Sequence, residues 1–438
     1  MSEPPPNSPP ERPRRRRKDT PWSRKRRRLL LIGGCLLLPL VPAVVLRLGL
    51  AREARDLVAA AEARGIPVTA EALNARLPVF DPEDQENIAA RYLAAARAYT
   101  PPPGGEPVSL PFFSGTTLAP PAALEPEQRD LLSAHIEANT AVIDDLLTIN
   151  AAGPARYLDS YPLSRRDRLL HLQAVHPLVS LLCAASLLHA EAGEGDRAIA
   201  ALDAAAGLTR SLEHDGLHIG LLFQWSMERT IIDALEYALW RTPPDPDRLE
   251  DFARQFSVAA REARLRQVLE TELGLFVARI REGRSGGFGR RAVLSAGVGD
   301  VNLREALVAG ECLLAWPEAD FEGRQALEAH YASRKKAWER RPLLHATLLH
   351  FGPPDEWALF RLGLDRAAVV EVALAAFRYR HAHGRLPASP ADLAPAYLPA
   401  IPRLASNDEE PIFEPIDGGI TVRDPGPLDE PIQFFLGG

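Results

Sequence analysis

Three cysteines in 438 residues, Cys35, Cys183 and Cys312, are too few and too scattered for a disulfide framework. No C-x-x-C occurs, and no Cys or His stands at zinc-binding spacing, so a structural zinc site of the usual kind is excluded. Cys183 and Cys312 sit in apolar segments ("SLLCAASLL", "GECLLAW"), the ordinary setting of buried, inert thiols. A single bridge between them stays open if the body lies outside the cytoplasm. Lysine is nearly absent: four of the 51 basic residues are Lys. With abundant Ala and Pro, that bias matches a GC-rich bacterial genome.

Motifs that name a reaction are missing too. "GRSGG" (Gly283 to Gly287) has the G-x-S-x-G spacing of a nucleophile elbow. That turn needs a strand before Ser285 and a helix after it, whereas a long helical pattern precedes and a Gly/Arg loop follows. "GFGRRA" (Gly287 to Ala292) and "GVGD" imitate a dinucleotide fingerprint without the βαβ unit it requires. The histidine pairs His171/His176, His214/His218 and His381/His383 lack the Glu of H-E-x-x-H and an obvious third ligand. Glu270 and Glu272, with Arg279 and Arg281, read as a solvated helix face. Glu228 and Asp233 stand out, because carboxylates in an apolar helix mark either a site or a structural pair with an arginine such as Arg229 or Arg264. The residues therefore assign no catalytic group, cofactor or metal.

What is present is a sharp division of charge. Residues 1–28 hold 11 Lys/Arg and 3 Asp/Glu, leaving 40 basic and 55 acidic residues for the rest. A basic leader on an acidic body implies two environments rather than one nucleic-acid-binding surface. The leader has seven prolines in its first 21 residues and no core-forming pattern, so it reads as a disordered tail. Between Arg28 and Arg47, Leu29 to Leu46 is a charge-free apolar run of 18 residues. At ~1.5 Å per residue it just covers a bilayer core, and the basic cluster before it keeps the N-terminus in the cytoplasm. The expectation is a single-pass anchor over residues 29–50 in a bacterial inner membrane, with the bulk of the chain outside the cytoplasm. The rivals are a signal peptide cleaved near Gly49 to Ala51, a lipoprotein box ("IGGC") at Cys35 and a twin-arginine signal; run length and position favour the anchor.

Beyond the anchor the patterning is mainly helical. Juxtamembrane helices and a Pro/Gly-rich connector occupy 51–125, with one helix expected to start at Asp81-Pro82. Residues 126–360 form a helical domain, in which "HPLVSLLCAASLLHA" is apolar nearly all round and too short for a second span. "SLLHAEAGEGDRAIAALDAAAGL" (Ser186 to Leu208) resembles a single tetratricopeptide-type hairpin, with no second copy at a 34-residue period. "PDPDR" (Pro244 to Arg248) is a helix stop followed by an N-cap.

Residues 363–438 read as a small α+β module. An apolar helix turns polar at Arg378 and stops at Gly384; Ser389-Pro390 restarts a short helix; "PIFEPIDGGITVRD" is a hairpin about Asp417-Gly418-Gly419, and "PIQFFL" a third strand. "ALAAFRYRHAHGRLPASPADLAPAYLPAIP" resembles the segment that follows the helix in the major, G-type pseudopilins of type II secretion. It also looks like the ends of a set of uncharacterised single-pass membrane proteins of planctomycete-type bacteria. The likeness covers about 40 residues and implies the local fold alone, because no prepilin cleavage site precedes Leu29 and the anchor is not continuous with this helix. Arg378, Tyr379, Arg380 and His381 are the candidate partner patch.

The expected protein is thus a membrane-anchored extracytoplasmic helical scaffold whose partners are the lipid bilayer and a protein of the cell envelope, with no nucleic acid. Two alternatives stand beside it: an envelope hydrolase with a dispersed active site, and an accessory of a secretion apparatus.

Overall fold

A computed structural model describes residues 44–79, 86–102, 110–113, 118, 120, 122–149, 153–161, 170–242, 244–283, 299–340, 355–416, 419–425 and 432–437. Leu29 to Ala43, and with them most of the expected anchor, lie outside these residues, as do Asp81-Pro82 and the 284–298 segment that holds Ser285. The described chain is mainly α-helical, with one small three-stranded sheet at its C-terminal end.

The helices are α1 (44–63), α2 (Ala70–Asn74), α3 (Ile88–Ala98), α4 (Pro126–Ala138), α5 (Thr140–Thr148), α6 (Leu170–Glu191), α7 (Gly195–Arg210) and α8 (His218–Arg241). Then come α9 (Glu250–Gln255), α10 (Val258–Gly283), α11 (Gly299–Ala315), α12 (Phe321–Glu339) and α13 (Asp355–His383). The strands are β1 (Ile412–Ile416), β2 (Gly419–Arg423) and β3 (Gln433–Gly437). Helix α3 has Asn87 as its cap, the side chain accepting the Ala89 N–H at 3.2 Å, and begins at Ile88. The acidic run ahead of Asn87 resembles a helix start, but the first turn forms where a side chain satisfies its orphan N–H groups.

Helix α6 is the hub of the first core. It is 22 residues long, so by length and composition it passes for a membrane span, and shortness does not exclude one. Burial decides the matter: 72% of its most apolar window is inside the protein, packed against α3, α4, α7 and α8. An apolar helix surrounded by other helices needs no lipid. The turn at Gly193 (φ +76°) joins α6 to α7, whose buried Ala198, Ala201, Ala205 and Ala206 permit close approach. Cys183 and Cys312 are both free and buried, and burial pushes both thiols up, away from reactivity.

A second core gathers Ala54 and Ala61 of α1, Leu269 and Leu273 of α10, Leu307 of α11, and an aromatic cluster of Trp225, Trp316, Tyr331, Trp357 and Phe360. Trp316 and Trp357 lie 5.3 Å apart, and Phe360 meets Trp225 edge-on at 6.1 Å. Helices α8 and α13 run through both cores: Leu221 and Trp225 of α8 belong to the second and Ile231 and Leu235 to the first, as do Phe360 and Phe377 of α13 in turn.

Helix α13 stops as expected. Gly384 takes φ +69° and its N–H returns to the Arg380 carbonyl at 2.7 Å; Ser389 and Asp392 then form a capping box at Pro390–Leu393. The sheet is antiparallel in the order β1-β2-β3. Val422 faces Phe434 and Ile420 faces Leu436, so one apolar face packs down on α13 and α8. Gly419 is required there: a Cβ would lie 1.8 Å from the Leu436 carbonyl oxygen.

Asp365 ties α13 to the chain entering the sheet. Its Oδ1 accepts the N–H groups of Ala405 (2.5 Å) and Ser406 (3.2 Å), and the residue is 2% exposed. Burial pushes this carboxyl up to about 6; Ser406 and the two N–H groups pull it back, and Asp424 adds to the rise. A folded-state value above the ordinary carboxylate value of ~3.9 means that folding favours the protonated form. The stability contribution is complete below about pH 4 and is lost as pH rises through about 6, a difference of roughly 3 kcal/mol. Asp365→Asn keeps the Oδ1 acceptor and removes the charge. It should flatten the pH dependence between about 4 and 6 and stabilise the protein at about pH 8 by up to roughly 3 kcal/mol. Urea unfolding across that range checks this, and a slope equal to the parent's would contradict it.

Candidate functional site

Helix α8 carries the charged residues that the sequence singles out, and its two halves treat them differently. Glu228 points into the contact with α10 and α13. Its Oε2 is 2.7 Å from Nη2 of Arg261, both side chains being 4% exposed. This is an ion pair rather than an aligned hydrogen bond. The partner is therefore Arg261, not Arg229 or Arg264. Gln224 Nε2 donates to Glu228 Oε1 at 3.1 Å, and Arg261 Nη1 donates to the Gly363 carbonyl at 2.6 Å. Burial pushes the Glu228 carboxyl up against the opposing pull of Arg261, and pushes the Arg261 guanidinium down.

Arg264 is taken up separately, donating to the Leu212 carbonyl at 3.1 Å and to Gln267. Close by, His171 Nε2 meets Asp215 Oδ2 at 2.5 Å beneath the stacked ring of Tyr157, whose hydroxyl bonds Ser211 at 2.7 Å. These contacts knit the α7–α8 connection to the start of α6. Among the described residues, no three His, Cys, Asp or Glu side chains gather to hold a metal ion. Of the other carboxylates, Glu270 pairs with Arg76 at 3.1 Å and Glu272 accepts the His218 backbone N–H at 3.0 Å, both structural uses.

One turn beyond Glu228, Asp233 faces a cavity of about 140 Å³ between α8, α13 and β3. Arg229, Asp233 and Glu236 form one stripe of α8 along it, at the spacing that places side chains on a common helix face. Arg366 and Val370 of α13 stand opposite, and Gln433 and Phe435 close it from the sheet. Arg229 and Gln433 are exposed at the mouth, while Glu236 is 5% exposed at the floor, where Oε1 accepts the Phe435 N–H at 2.7 Å. Burial pushes Asp233 up to about 6 against the pull of Arg229 and Arg366, and pushes Glu236 well above the carboxylate range. Among the described residues that line it, none is Ser, Thr, Cys, Tyr, His or Lys. The described residues offer opposed charges and hydrogen-bond donors, and among them there is no hydroxyl, thiol, amine or imidazole nucleophile. A broader depression of about 420 Å³ beside α2 is lined by the 65–69 backbone and Arg76, which is already bonded to the Gly65 carbonyl at 2.7 Å.

The patch expected at the end of α13 divides. Tyr379 is buried, its ring 4.3 Å from His383 and 5.6 Å from Tyr397. Arg378 lies over the Tyr397 ring at 5.8 Å, Arg380 packs over Phe377 at 5.1 Å, and His381 is exposed. Arg378 and Tyr379 thus hold the helix end against Tyr397 of the chain that follows, while Arg380 covers a ring of its own helix.

Compared with family models, curated proteins and solved structures, the chain matches none.

Local sequence points to Glu228 and Asp233 but not to Glu236, Arg366 or the carbonyl of Gly363. The one available signal for Glu236 was its spacing of three from Asp233 on an apolar helix; nothing local links either residue to α13. Truncating Glu228 to Ala leaves Arg261 charged, buried and without its carboxylate, and should cost ~3–5 kcal/mol of unfolding free energy in urea. Glu228→Leu combined with Arg261→Met should cost much less, because no charge is then stranded. Equal losses for the single and double variants would contradict the pairing.

Proposed function

We propose that this protein is a membrane-tethered, extracytoplasmic helical binding protein that holds its partner without covalent chemistry. The observation that carries the tether lies in α1. Its C-terminal half is built into the second core through Ala54 and Ala61, both essentially inaccessible. Its N-terminal turns leave Val45 (63%), Leu46 (67%) and Leu48 (64%) exposed on the helix surface. Val45 and Leu46 close the apolar run that begins at Leu29, Leu48 follows just past Arg47, and a helix whose apolar end is left uncovered by the described residues fits one emerging from lipid. The basic leader supports the orientation with the N-terminus inside.

Non-covalent holding, rather than hydrolysis, is supported by the cavity lining, which pairs carboxyl groups with guanidinium groups and, among the described residues, includes no hydroxyl, thiol, amine or imidazole side chain. Helices tied by buried ion pairs and a shared aromatic cluster make a rigid body suited to presenting a surface at a fixed distance from a bilayer.

On this reading, the intact chain sediments with membranes and stays there through high-salt and alkaline-carbonate washes. A chain lacking 29–46 moves to the soluble fraction, and protease added to spheroplasts digests the body. Recovery of the intact chain in the cytosolic fraction would overturn the tether and the compartment together.

A further inference from the structure

The cavity between α8, α13 and β3 has a chemistry that selects its occupant. Apart from Oε1 of Glu236, which holds the Phe435 N–H, the carboxyl oxygens of Asp233 and Glu236 receive no hydrogen bond from a described residue. Desolvated carboxyl oxygens call for N–H donors. A bare metal cation is disfavoured by Arg229 and Arg366, which flank Asp233; an inorganic anion is disfavoured by the two acids. A molecule carrying both charges complements both halves. Size restricts it further: at ~30 Å³ per water, about 140 Å³ holds roughly five non-hydrogen atoms or a little more. That is far below the ~300–1,000 Å³ of sites for larger ligands. Ile232, Val370 and Phe435 supply an apolar wall for a short side chain.

We propose that this cavity binds a small α-amino-acid zwitterion, of the size of glycine or alanine, with its ammonium group against Asp233 and Glu236 and its carboxylate against Arg366 and Arg229. A planar guanidinium offers paired donors to a carboxylate, and an ammonium group offers three donors to the two acids. The exposed Arg229 and Gln433 at the mouth give an entry from solvent. Among the described residues, the groups facing Asp233 are Arg229 and Glu236 on its own helix, Arg366 on α13 and the Cys183 thiol of α6; the described lining residues of β3 carry no charge. A bound ammonium holds Asp233 ionised, so affinity falls as pH drops through about 6. The site does not depend on how the chain is anchored, and its test reads binding rather than localisation.

The test is isothermal titration of the full chain in detergent with L-alanine and glycine, and with acetate and ethylamine as probes that each carry one charge. Alanine should bind at least roughly tenfold more tightly than either single-charge probe. Asp233→Asn and Arg366→Gln should each weaken alanine binding by roughly tenfold or more. Val370→Phe should abolish it by filling the cavity. Saturation-transfer NMR on the parent chain, with acetate and ethylamine as competitors, gives the same ranking without relying on a variant that folds. Acetate binding as tightly as alanine, no binding of alanine or glycine at millimolar concentration, or an affinity unchanged in both Asp233→Asn and Arg366→Gln would each overturn the proposal.

Discussion

One guanidinium holds three long helices in register. Arg261, on α10, stands against the Glu228 carboxylate on α8 and donates to the Gly363 carbonyl on α13, with the Trp225 ring 5.9 Å away. All the groups involved are buried, so each would be costly alone: a carboxylate without a cation, a cation without an anion, a helix carbonyl asked for a second bond. Together the charges offset one another and Nη1 of Arg261 is hydrogen-bonded, so the geometry tolerates little sliding. Gly363 sharpens the constraint, since a Cβ there would come within 2.6 Å of the Trp225 ring, so α13 crosses α8 at this point without side-chain clearance. Because α8 and α13 each traverse both cores, fixing their crossing also fixes the separation of Asp233 from Arg366 farther along. The charged cavity is a downstream consequence of the buried pair.

The same logic explains how the sheet is placed. β3 lies on α8 and α13, and the Phe435 N–H is held by Glu236. Asp365 fastens the 405–406 turn to α13 through two N–H groups. The C-terminal unit is therefore not an appendage on the end of a helical body. Its strands complete the first core through Ile420, Val422, Phe434 and Leu436, and its long helix is shared with the second.

Local chemistry was legible in the sequence and distant pairing was not. Gly384 as a stop, Ser389-Pro390 as a restart, Asp245 capping the turn at Pro246–Leu249, and the three antiparallel strands all follow from residues that act on their immediate neighbours. The burial of α6 follows from its apolar circumference, although its true length includes Pro177 in the helix interior and exceeds what the proline suggested. Missed features share one physical cause. Arg261 rather than Arg229 or Arg264 receives Glu228, and Arg366 comes to face Asp233, because helices far apart in sequence pack side by side, and spacing along one helix carries no record of its neighbour. The start of α3 at Asn87 was missed for a different reason: Asp81-Pro82 is also a legitimate helix-initiating pair.

If the buried pair governs the architecture, α8 and α13 must open together. Hydrogen–deuterium exchange of the full chain, with and without Arg261→Met, reads this directly. The account predicts that amides of 218–241 and 355–383 are protected together in the parent and lose protection together in the variant, while α6 stays slow. Loss of protection confined to α10, or none in either α8 or α13, would contradict it.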